Sequence, residues 1–175
     1  MRPLTTFNFE VIIQLPGSSE SEGTVCKAAF SECSGLEMTV APKTITEGGN
    51  NASQTHLAGP VSYGQLTLKR GMTDTLDLWD WFSQTTRTDG YGLRADAIVR
   101  LYPSAAVPQT VSDGAGGTTP RTPAFTFILR KCLPVKMRAP TFSASEGAVA
   151  IEEMQLVYER LELKELTGTV SDGAE

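Results

Sequence analysis

LAGPVSYGQLTLKRGMTDTLDLWDWF, residues 57–82, is the stretch of this sequence that decides the fold. It divides into a strand, a turn and a helix. Leu66 and Leu68 alternate with Thr67, which predicts a strand with one apolar face. Gly71 is predicted to end that strand, because glycine takes backbone angles that a strand does not use.

A short helix is predicted to follow, over residues 74–84. Thr73 or Asp74 can cap its N-terminus by accepting a backbone N–H that has no partner within the helix. Asp77 places a negative charge near the positive end of the helix dipole. These signals predict where the helix begins but not what it packs against.

One face of this helix is strongly apolar. Leu78, Trp81 and Phe82 recur at the spacing i, i+3, i+4, and both tryptophans of the chain, Trp79 and Trp81, lie on it. A helix of about three turns is marginal in isolation and needs a surface to cover. Since most of the remaining chain has strand patterns, Leu78, Trp81 and Phe82 are predicted to form a helix–sheet core.

The strands expected around this helix are short and bounded by glycine, proline or polar turns. An alternation of apolar and polar residues is clearest over residues 7–15 and 125–129. Extended segments are also expected at residues 24–33, 37–40 and 97–102. The segment bracketed by Pro134 and Pro140 is expected to be an extended edge segment rather than a helix.

Residues 149–163 fit two structures. Met154, Tyr158 and Leu161 lie on one helical stripe, and the composition favours a helix. Met154, Leu156 and Tyr158 also alternate with polar or small neighbours as a strand does. Periodicity alone leaves this choice open.

Two internal segments and the C-terminus have compositions that do not build a core. Residues 44–60 include the run Gly48-Gly49-Asn50-Asn51 and few apolar side chains, so they form a flexible loop or an arm that orders against something else. Residues 103–123 are predicted to be a flexible loop, and residues 164–175 a loose tail. We therefore expect one domain over residues 1–163, with an extended arm over residues 41–60.

Charge and composition exclude several classes of function. The chain has 175 residues, a net charge of −5 and a pI near 5.0, without a basic cluster, which argues against sequence-specific nucleic-acid binding. No apolar run approaches the roughly 20 residues of a membrane span, so direct membrane insertion is not expected. The N-terminus has no secretory core, and three cysteines without a Cys-x-x-Cys spacing suit a reducing compartment. Assembly in the cytoplasm without a signal peptide is expected.

Catalytic and ligand-binding motifs are missing. The one histidine, His56, lies in the glycine- and asparagine-rich segment, which does not pre-position a catalytic or metal-binding side chain. Gly48-Gly49 is not followed by the Gly-Lys-Ser/Thr of a phosphate loop. We therefore predict no catalytic, cofactor-binding or metal-binding residues, no cofactor and no enzymatic activity. The remaining classes of function are a structural protein and a monomeric β-sandwich binding module with ligand loops.

An ordered series of short motifs is more specific than any one of them. In this order the motifs resemble the tail tube protein family of contractile phage tails and phage-tail-like contractile injection systems. The most telling is Leu-x-Leu-Lys-Arg-Gly followed by a tryptophan-bearing helix. The series is Phe9-x-Val11, Phe30-Ser-Glu-Cys-Ser34-Gly35-Leu36, Glu47-Gly48-Gly49, Leu57-Ala-Gly59, Leu66-Thr-Leu68-Lys69-Arg70-Gly71, Pro134-Val-Lys136, Ala150-Ile-Glu152 and Tyr158-Glu159-Arg-Leu161.

The resemblance implies a mainly β fold, an antiparallel β-sandwich or split barrel with one flanking α-helix. It implies hexameric rings that close into a multi-subunit β-barrel and stack as a hollow tube inside a contractile sheath, on a baseplate with a spike. Effector proteins or DNA would pass through the lumen, and residues 149–163 would be a strand. The main tube subunit and a tube-initiator ring at the baseplate both remain open. The residues then expected to form the ring-stacking arm are Glu47, Gly48, Gly49, Asn50, Asn51, Leu57 and Gly59.

Overall fold

The computed structural model describes residues 9–16, 23–28, 30–46, 48–49, 53–87, 92–102, 123–142 and 149–165. These residues form twelve strands and one helix. In chain order they are β1 (Phe9–Gln14), β2 (Thr24–Ala28), β3 (Glu32–Ser34), β4 (Met38–Val40), β5 (Lys43–Ile45), β6 (Thr55–Leu57), β7 (Val61–Tyr63), β8 (Gln65–Gly71), α1 (Asp77–Thr86), β9 (Ala95–Leu101), β10 (Phe125–Arg138), β11 (Ile151–Val157) and β12 (Arg160–Glu165).

The strands form two antiparallel layers that share β10. Layer 1 has the order β2-β1-β9-β10-β12 and uses the first half of β10. Layer 2 has the order β10-β11-β8-β3 and uses the second half of β10. This antiparallel sandwich with one flanking helix is the fold class that the sequence predicts.

A bulge in β10 marks the change from one layer to the other. The register with β9 shifts between Leu129 and Cys132, and Lys131 has a φ of 54°. The buried Asp96 stabilises the bulge, because its carboxylate accepts the backbone N–H of Lys131 at 2.9 Å and pairs with Arg130 at 2.6 Å. One extra residue in a strand bends it, which lets one strand serve two layers.

The core lies between the layers and is closed by α1, which packs against β2 and β10. Leu78 and Trp81 of the helix are buried, and Phe82 is half-buried against the same cluster. Leu66 and Leu68 belong to the same core cluster, and their alternation with Thr67 gives β8 its predicted apolar face. The helix therefore covers a sheet through the three side chains chosen from the sequence.

The predicted start of the helix is wrong. The helix begins at Asp77 rather than residue 74 and ends at Thr86, and its N-cap residue is Leu76, which makes no side-chain capping bond. Thr73 and Asp74 precede the first turn and cannot cap it. Asp77 instead accepts the backbone N–H of Leu78 at 2.9 Å, so the polar residue inside the first turn takes over part of the cap's role.

β8 ends at Gly71, as the sequence predicts, but not for the predicted reason. Gly71 is itself the last paired residue of the strand, opposite Ile151 of β11, and it has no positive φ. Residues 24–33, predicted as one strand, are two, because β2 pairs with β1 in layer 1 and β3 pairs with β8 in layer 2.

Residues 149–163 are extended rather than helical, but they are not one strand. β11 pairs with β8 and β10. The extended structure is interrupted at Tyr158 and Glu159, and β12 then pairs with the first half of β10. β12 also includes Lys164 and Glu165, which were predicted to belong to the loose tail. The rest of that tail, and almost all of the predicted loop 103–123, lie outside the described residues.

Candidate assembly surfaces

A two-stranded hairpin arm leaves layer 2 between β3 and β8. β4 pairs with β7, and beyond them β5 pairs with β6, so the arm runs from residue 38 out to Gly48-Gly49 and back to residue 63. Gly49 has a φ of 94°, a conformation that suits glycine in a tight turn. Of the residues predicted to stack rings, Gly48, Gly49, Leu57 and Gly59 lie on this arm. Glu47, Asn50 and Asn51 lie outside the described residues.

Apolar side chains are exposed along both ladders of the arm. Their exposed fractions are between 42% and 58%, as large as those of surface polar groups. A series of exposed apolar groups on a protruding element is typical of an interaction surface. They are Met38, Val40, Ile45, Leu57 and Val61.

Gly59 holds the two sides of the arm close together. A Cβ atom at this position would lie 2.0 Å from the carbonyl oxygen of Ala41, so any other residue would push the strands apart. On the outer ladder, Thr44 and His56 face each other, with the threonine hydroxyl 3.2 Å from the histidine Nδ1. The arm is thus a paired ribbon, although its composition suggested little order.

Tyr158 anchors the base of the arm. Its hydroxyl accepts the backbone N–H of Glu37 at 3.1 Å and lies within donating distance of the carbonyl oxygens of Glu37 (3.0 Å) and Gly35 (3.1 Å). Its ring packs against that of Tyr63 with the centroids 5.5 Å apart. Gly35 has a φ of 90° and no room for a Cβ beside Gln65. In the sequence, Tyr158 belongs to an apolar pattern and to the last motif of the series, and neither marks it as an anchor.

Layer 2 has two open edges. In the part of the chain that the structure describes, β3 pairs only with β8, and the second half of β10 pairs only with β11. Backbone N–H and C=O groups on such edges can pair with another chain. The face of layer 2 turned away from the core is mainly polar, with Lys69, Glu153 and Gln155 at its centre and Lys136 at one edge. The apolar residues on the same face are Ile151, Val157 and Leu133.

A buried charge network joins α1 to layer 2. Arg70 of β8 is 2% exposed and donates from Nε to Glu152 of β11 at 2.5 Å and from its terminal nitrogens to Asp77 of α1 at 2.5 and 3.3 Å. Trp79 donates from Nε1 to the other oxygen of Glu152 at 3.0 Å. The guanidinium also lies over the ring of Phe30, 5.9 Å from its centroid. The network fixes the helix to the sheet by directional contacts in addition to apolar packing.

Opposing effects set the pKa values in this network. Burial raises the pKa of Asp77, but the hydrogen bonds from Arg70, Cys26 and the Leu78 N–H, together with the charge of Arg70, outweigh it, and the pKa lies below the ordinary value. Burial likewise lowers the pKa of Arg70, and its bonds to Asp77 and Glu152 more than compensate, so the pKa lies above its ordinary value. Both groups are therefore charged at neutral pH, where each stabilises the other.

The thiols show no sign of reactivity. The three cysteines are free. Burial raises the pKa of Cys26 and of Cys132 to about 12 and that of Cys33 to about 11. Because the thiolate is the nucleophile, these groups are poor nucleophiles at neutral pH.

An open groove of about 460 Å³ lies beside the β10 bulge, but its charges satisfy one another. Arg130 pairs with Asp96 at 2.6 Å, and Lys131 pairs with Glu159 at 3.2 Å. Within the described ranges, no group of three or more His, Cys, Asp or Glu side chains could hold a metal ion. In the same ranges, no helix is long and apolar enough to span a membrane.

The comparison with protein families agrees with these features. The model of the T4-like virus tail tube protein gp19 family matches residues 5–162. The chain belongs to the tail tube protein family. The resemblance carried by the ordered motifs is thereby confirmed, and this tail tube protein is a structural component of a phage tail or a tail-like particle.

Solved structures show that this tail tube protein shares its fold with chains of other contractile particles. A chain in the cryo-EM structure of the anti-feeding prophage (AFP) baseplate is 22% identical, with a TM-score of 0.74 over 94% of this chain and 97% of that one. A chain in the sheath-tube complex of the PVC extracellular contractile injection system is 18% identical, with a TM-score of 0.70 over 94% and 93%. A chain in the cryo-EM structure of the AFP tube terminating cap is 16% identical, with a TM-score of 0.69 over 94% of this chain and 93% of that one. No curated protein matches the chain.

Proposed function

We propose that this tail tube protein is the repeating subunit of the inner tube of a contractile particle. Six copies form a ring, and the rings stack into a hollow conduit inside a contractile sheath, mounted on a baseplate with a spike. Effector proteins or DNA pass through the conduit. The observation that supports this most is the combination of two open edges on layer 2 with an exposed arm that starts from the same layer.

Ring closure uses the edges of layer 2. β3 of one subunit pairs with the second half of β10 of the next, which satisfies the open backbone groups on both. Layer 2 has four antiparallel strands, and an even number keeps strand direction alternating across each boundary. Such a head-to-tail interface uses a different edge on each side, so it generates a ring when the rotation closes.

The polar face of layer 2 then lines the conduit. When the layer 2 sheets of six subunits close into a barrel, the core, α1 and layer 1 of each subunit must lie outside the barrel wall. The space inside the wall is too small to hold them. The inner wall carries Lys69, Lys136 and Arg138 against Glu32 and Glu153, with three apolar side chains on the same face. A wall close to charge balance does not retain an anionic cargo.

The hairpin arm stacks the rings. Its exposed apolar groups would remain in contact with water in a single ring, and contact with the adjacent ring would bury them, at roughly 25 cal/mol per Å² of apolar surface. Tyr158 fixes the base of the arm, so its direction is set before stacking. Glu47, Asn50 and Asn51, at or beside its tip, belong to this proposal.

Electron microscopy and native mass spectrometry of the purified protein test the assembly. We expect hexameric rings and, at higher concentration, tubes with an open centre. A protein that stays monomeric at every concentration would contradict the proposal and favour a monomeric β-sandwich binding module.

Deletion of residues 47–53 tests the arm separately from the ring. We expect a folded, soluble variant that forms rings but stacks poorly, because a segment of this glycine- and asparagine-rich composition supplies almost nothing for a core. The matched control is Thr44→Ser, which keeps the arm's length and its exposed apolar groups. Hydrogen exchange gives the direct measurement: amides over residues 47–58 should be unprotected in rings and protected in tubes. Equal exchange in both states would show that the arm does not stack rings.

A tube-initiator ring at the baseplate is the second candidate. The similarity to a chain in the AFP baseplate structure, with a TM-score of 0.74, is the observation that favours it. Antibody labelling of sheared native particles separates the two. Label along the whole tube supports the repeating subunit, and label confined to one end supports the initiator ring.

A further inference from the structure

We propose that ring closure pairs Glu32 on β3 of one subunit with Arg138 on β10 of the next, so that a row of alternating charges continues across the subunit boundary. This inference rests on the proposed function, because it specifies the register of the ring interface. It names one contact out of those that the two open edges could make.

The row is visible in the strand registers of layer 2. Arg138 of β10 lies opposite Glu153 of β11, Glu153 lies opposite Lys69 of β8, and Lys69 lies opposite Glu32 of β3. Directly opposed residues in antiparallel strands point to the same face. The polar face of layer 2 is therefore crossed by the charge sequence plus, minus, plus, minus, one charge on each strand.

The two ends of the row are complementary and lie on the two open edges. Glu32 is already bonded to Lys69, with Nζ and Oε2 2.7 Å apart, and remains half exposed. Arg138 is exposed, and in the described part of the chain its side chain makes no ion pair or hydrogen bond. An unpaired cation at one edge and a partly exposed carboxylate at the other are the groups that an edge-to-edge contact would bring together.

The same register joins the other rows correctly. With Glu32 opposite Arg138, Cys33 lies opposite Met137 and Ser34 opposite Lys136. Cys33 and Met137 both pack against the core, so their side chains would meet on the apolar side of the joined sheet. A shift by one residue would place Glu32 opposite Met137 and turn polar groups toward the core.

Charge-reversal variants test the pairing. Arg138→Glu alone places two carboxylates at every boundary, and Glu32→Lys alone places two cations there. We expect each variant to need about tenfold or more higher subunit concentration to form rings than the unchanged protein at low salt. In 1 M salt the difference should shrink, because screening acts over about 3 Å.

Mixing the two variants separates the interface from folding defects. In a ring of six that alternates the two chains, every boundary again joins opposite charges, so an equimolar mixture should form rings at nearly the unchanged protein's concentration. Mixing does not alter the contacts within either chain, so it cannot repair a folding defect. Recovery on mixing therefore comes from the contact between chains.

Lys136→Glu is the matched control, since it makes the same charge change two residues away on the same strand and face. We expect it to assemble much better than Arg138→Glu. Failure of the mixture to form rings, or a defect in Lys136→Glu as large as that in Arg138→Glu, would overturn the pairing while leaving ring formation intact. If the unchanged protein forms no rings, the proposed function fails instead.

Discussion

Replacing Arg70 with methionine tests whether the buried charge network stabilises the fold. Methionine has similar length and keeps much of the apolar contact with Phe30, but it removes the cation from between Glu152 and Asp77. Glu152, whose side chain is 2% exposed, would then be buried without an opposite charge. Removing one partner of a buried pair costs about 3–5 kcal/mol, because the remaining charge keeps its desolvation penalty.

The neighbouring residue provides the control. Lys69 also pairs with a carboxylate, but its side chain is 35% exposed and that of its partner Glu32 is 47% exposed. Exposed pairs contribute about 0–1 kcal/mol, so Lys69→Met should change the free energy of unfolding by no more than that. The two variants differ by one position on β8 and separate burial from charge.

Urea titration followed by tryptophan fluorescence measures both variants, since both tryptophans lie on α1. The titration is run at protein concentrations where the midpoint does not depend on concentration, so that assembly does not contribute. A loss below about 1 kcal/mol in Arg70→Met, equal to that in Lys69→Met, would refute the reasoning. It would mean that water or a relaxed side chain satisfies Glu152 without the guanidinium.

Three further predictions concern stability. Trp81→Ala should cost about 3–5 kcal/mol in the same titration, because the side chain is 2% exposed in the core, and a loss under about 1 kcal/mol would contradict its place there. The folded-state pKa of Asp77 lies below its ordinary value of 3.8. The carboxylate therefore contributes fully to the free energy of unfolding above pH 3.8, and this contribution is lost as the pH falls below 3.8 and through the folded-state pKa. Asp77→Asn should therefore be less stable than the unchanged protein at pH 6, with the gap narrowing as the pH falls below 3.8; a gap that stays constant would show that the ion pair does not contribute. The free energy of unfolding of Lys131→Gly should be at least about 1 kcal/mol larger than that of Lys131→Val, because a φ of 54° strains a β-branched residue. Equal values for the two variants would mean that the bulge relaxes.

The helix–sheet core could be predicted because its signal is local. Leu78 and Trp81 show helical spacing within one turn, and Leu66 and Leu68 show strand alternation beside them, so each element carries its own pattern. Arg70 was missed although it continues the alternation of Leu66 and Leu68 and therefore points to the same buried face. A charged residue next to a glycine suggests an exposed turn unless an oppositely charged partner is known. The partner of Arg70 is Glu152, which lies 82 residues away in the sequence and is not indicated by the local pattern.

The arm could be predicted in part, for the opposite reason. The composition around Gly48 and Gly49 indicates a segment that contributes no core, and this does not depend on any distant contact. Its pairing as a ribbon depends on which residues oppose each other, as Thr44 and His56 do, and short strands carry too few residues to specify a register. One edge of layer 2 could be predicted, because the segment between Pro134 and Pro140 suits an edge strand and the second half of β10 lies at an edge. The other edge, β3, could not, since an edge is defined by the strand that is missing beside it.

β10 has a mechanical consequence for a tube wall. Its fourteen residues run without a break from layer 1 into layer 2, so the two layers are joined by covalent bonds as well as by packed side chains. In a sandwich held only by side chains, a load along one layer can slide it over the other. Here sliding requires β10 to lose hydrogen bonds to β9, β12 or β11, and Asp96 holds the bulge at which the strand passes from one layer to the other. A subunit built in this way transmits an axial push from one layer to the other instead of shearing between them.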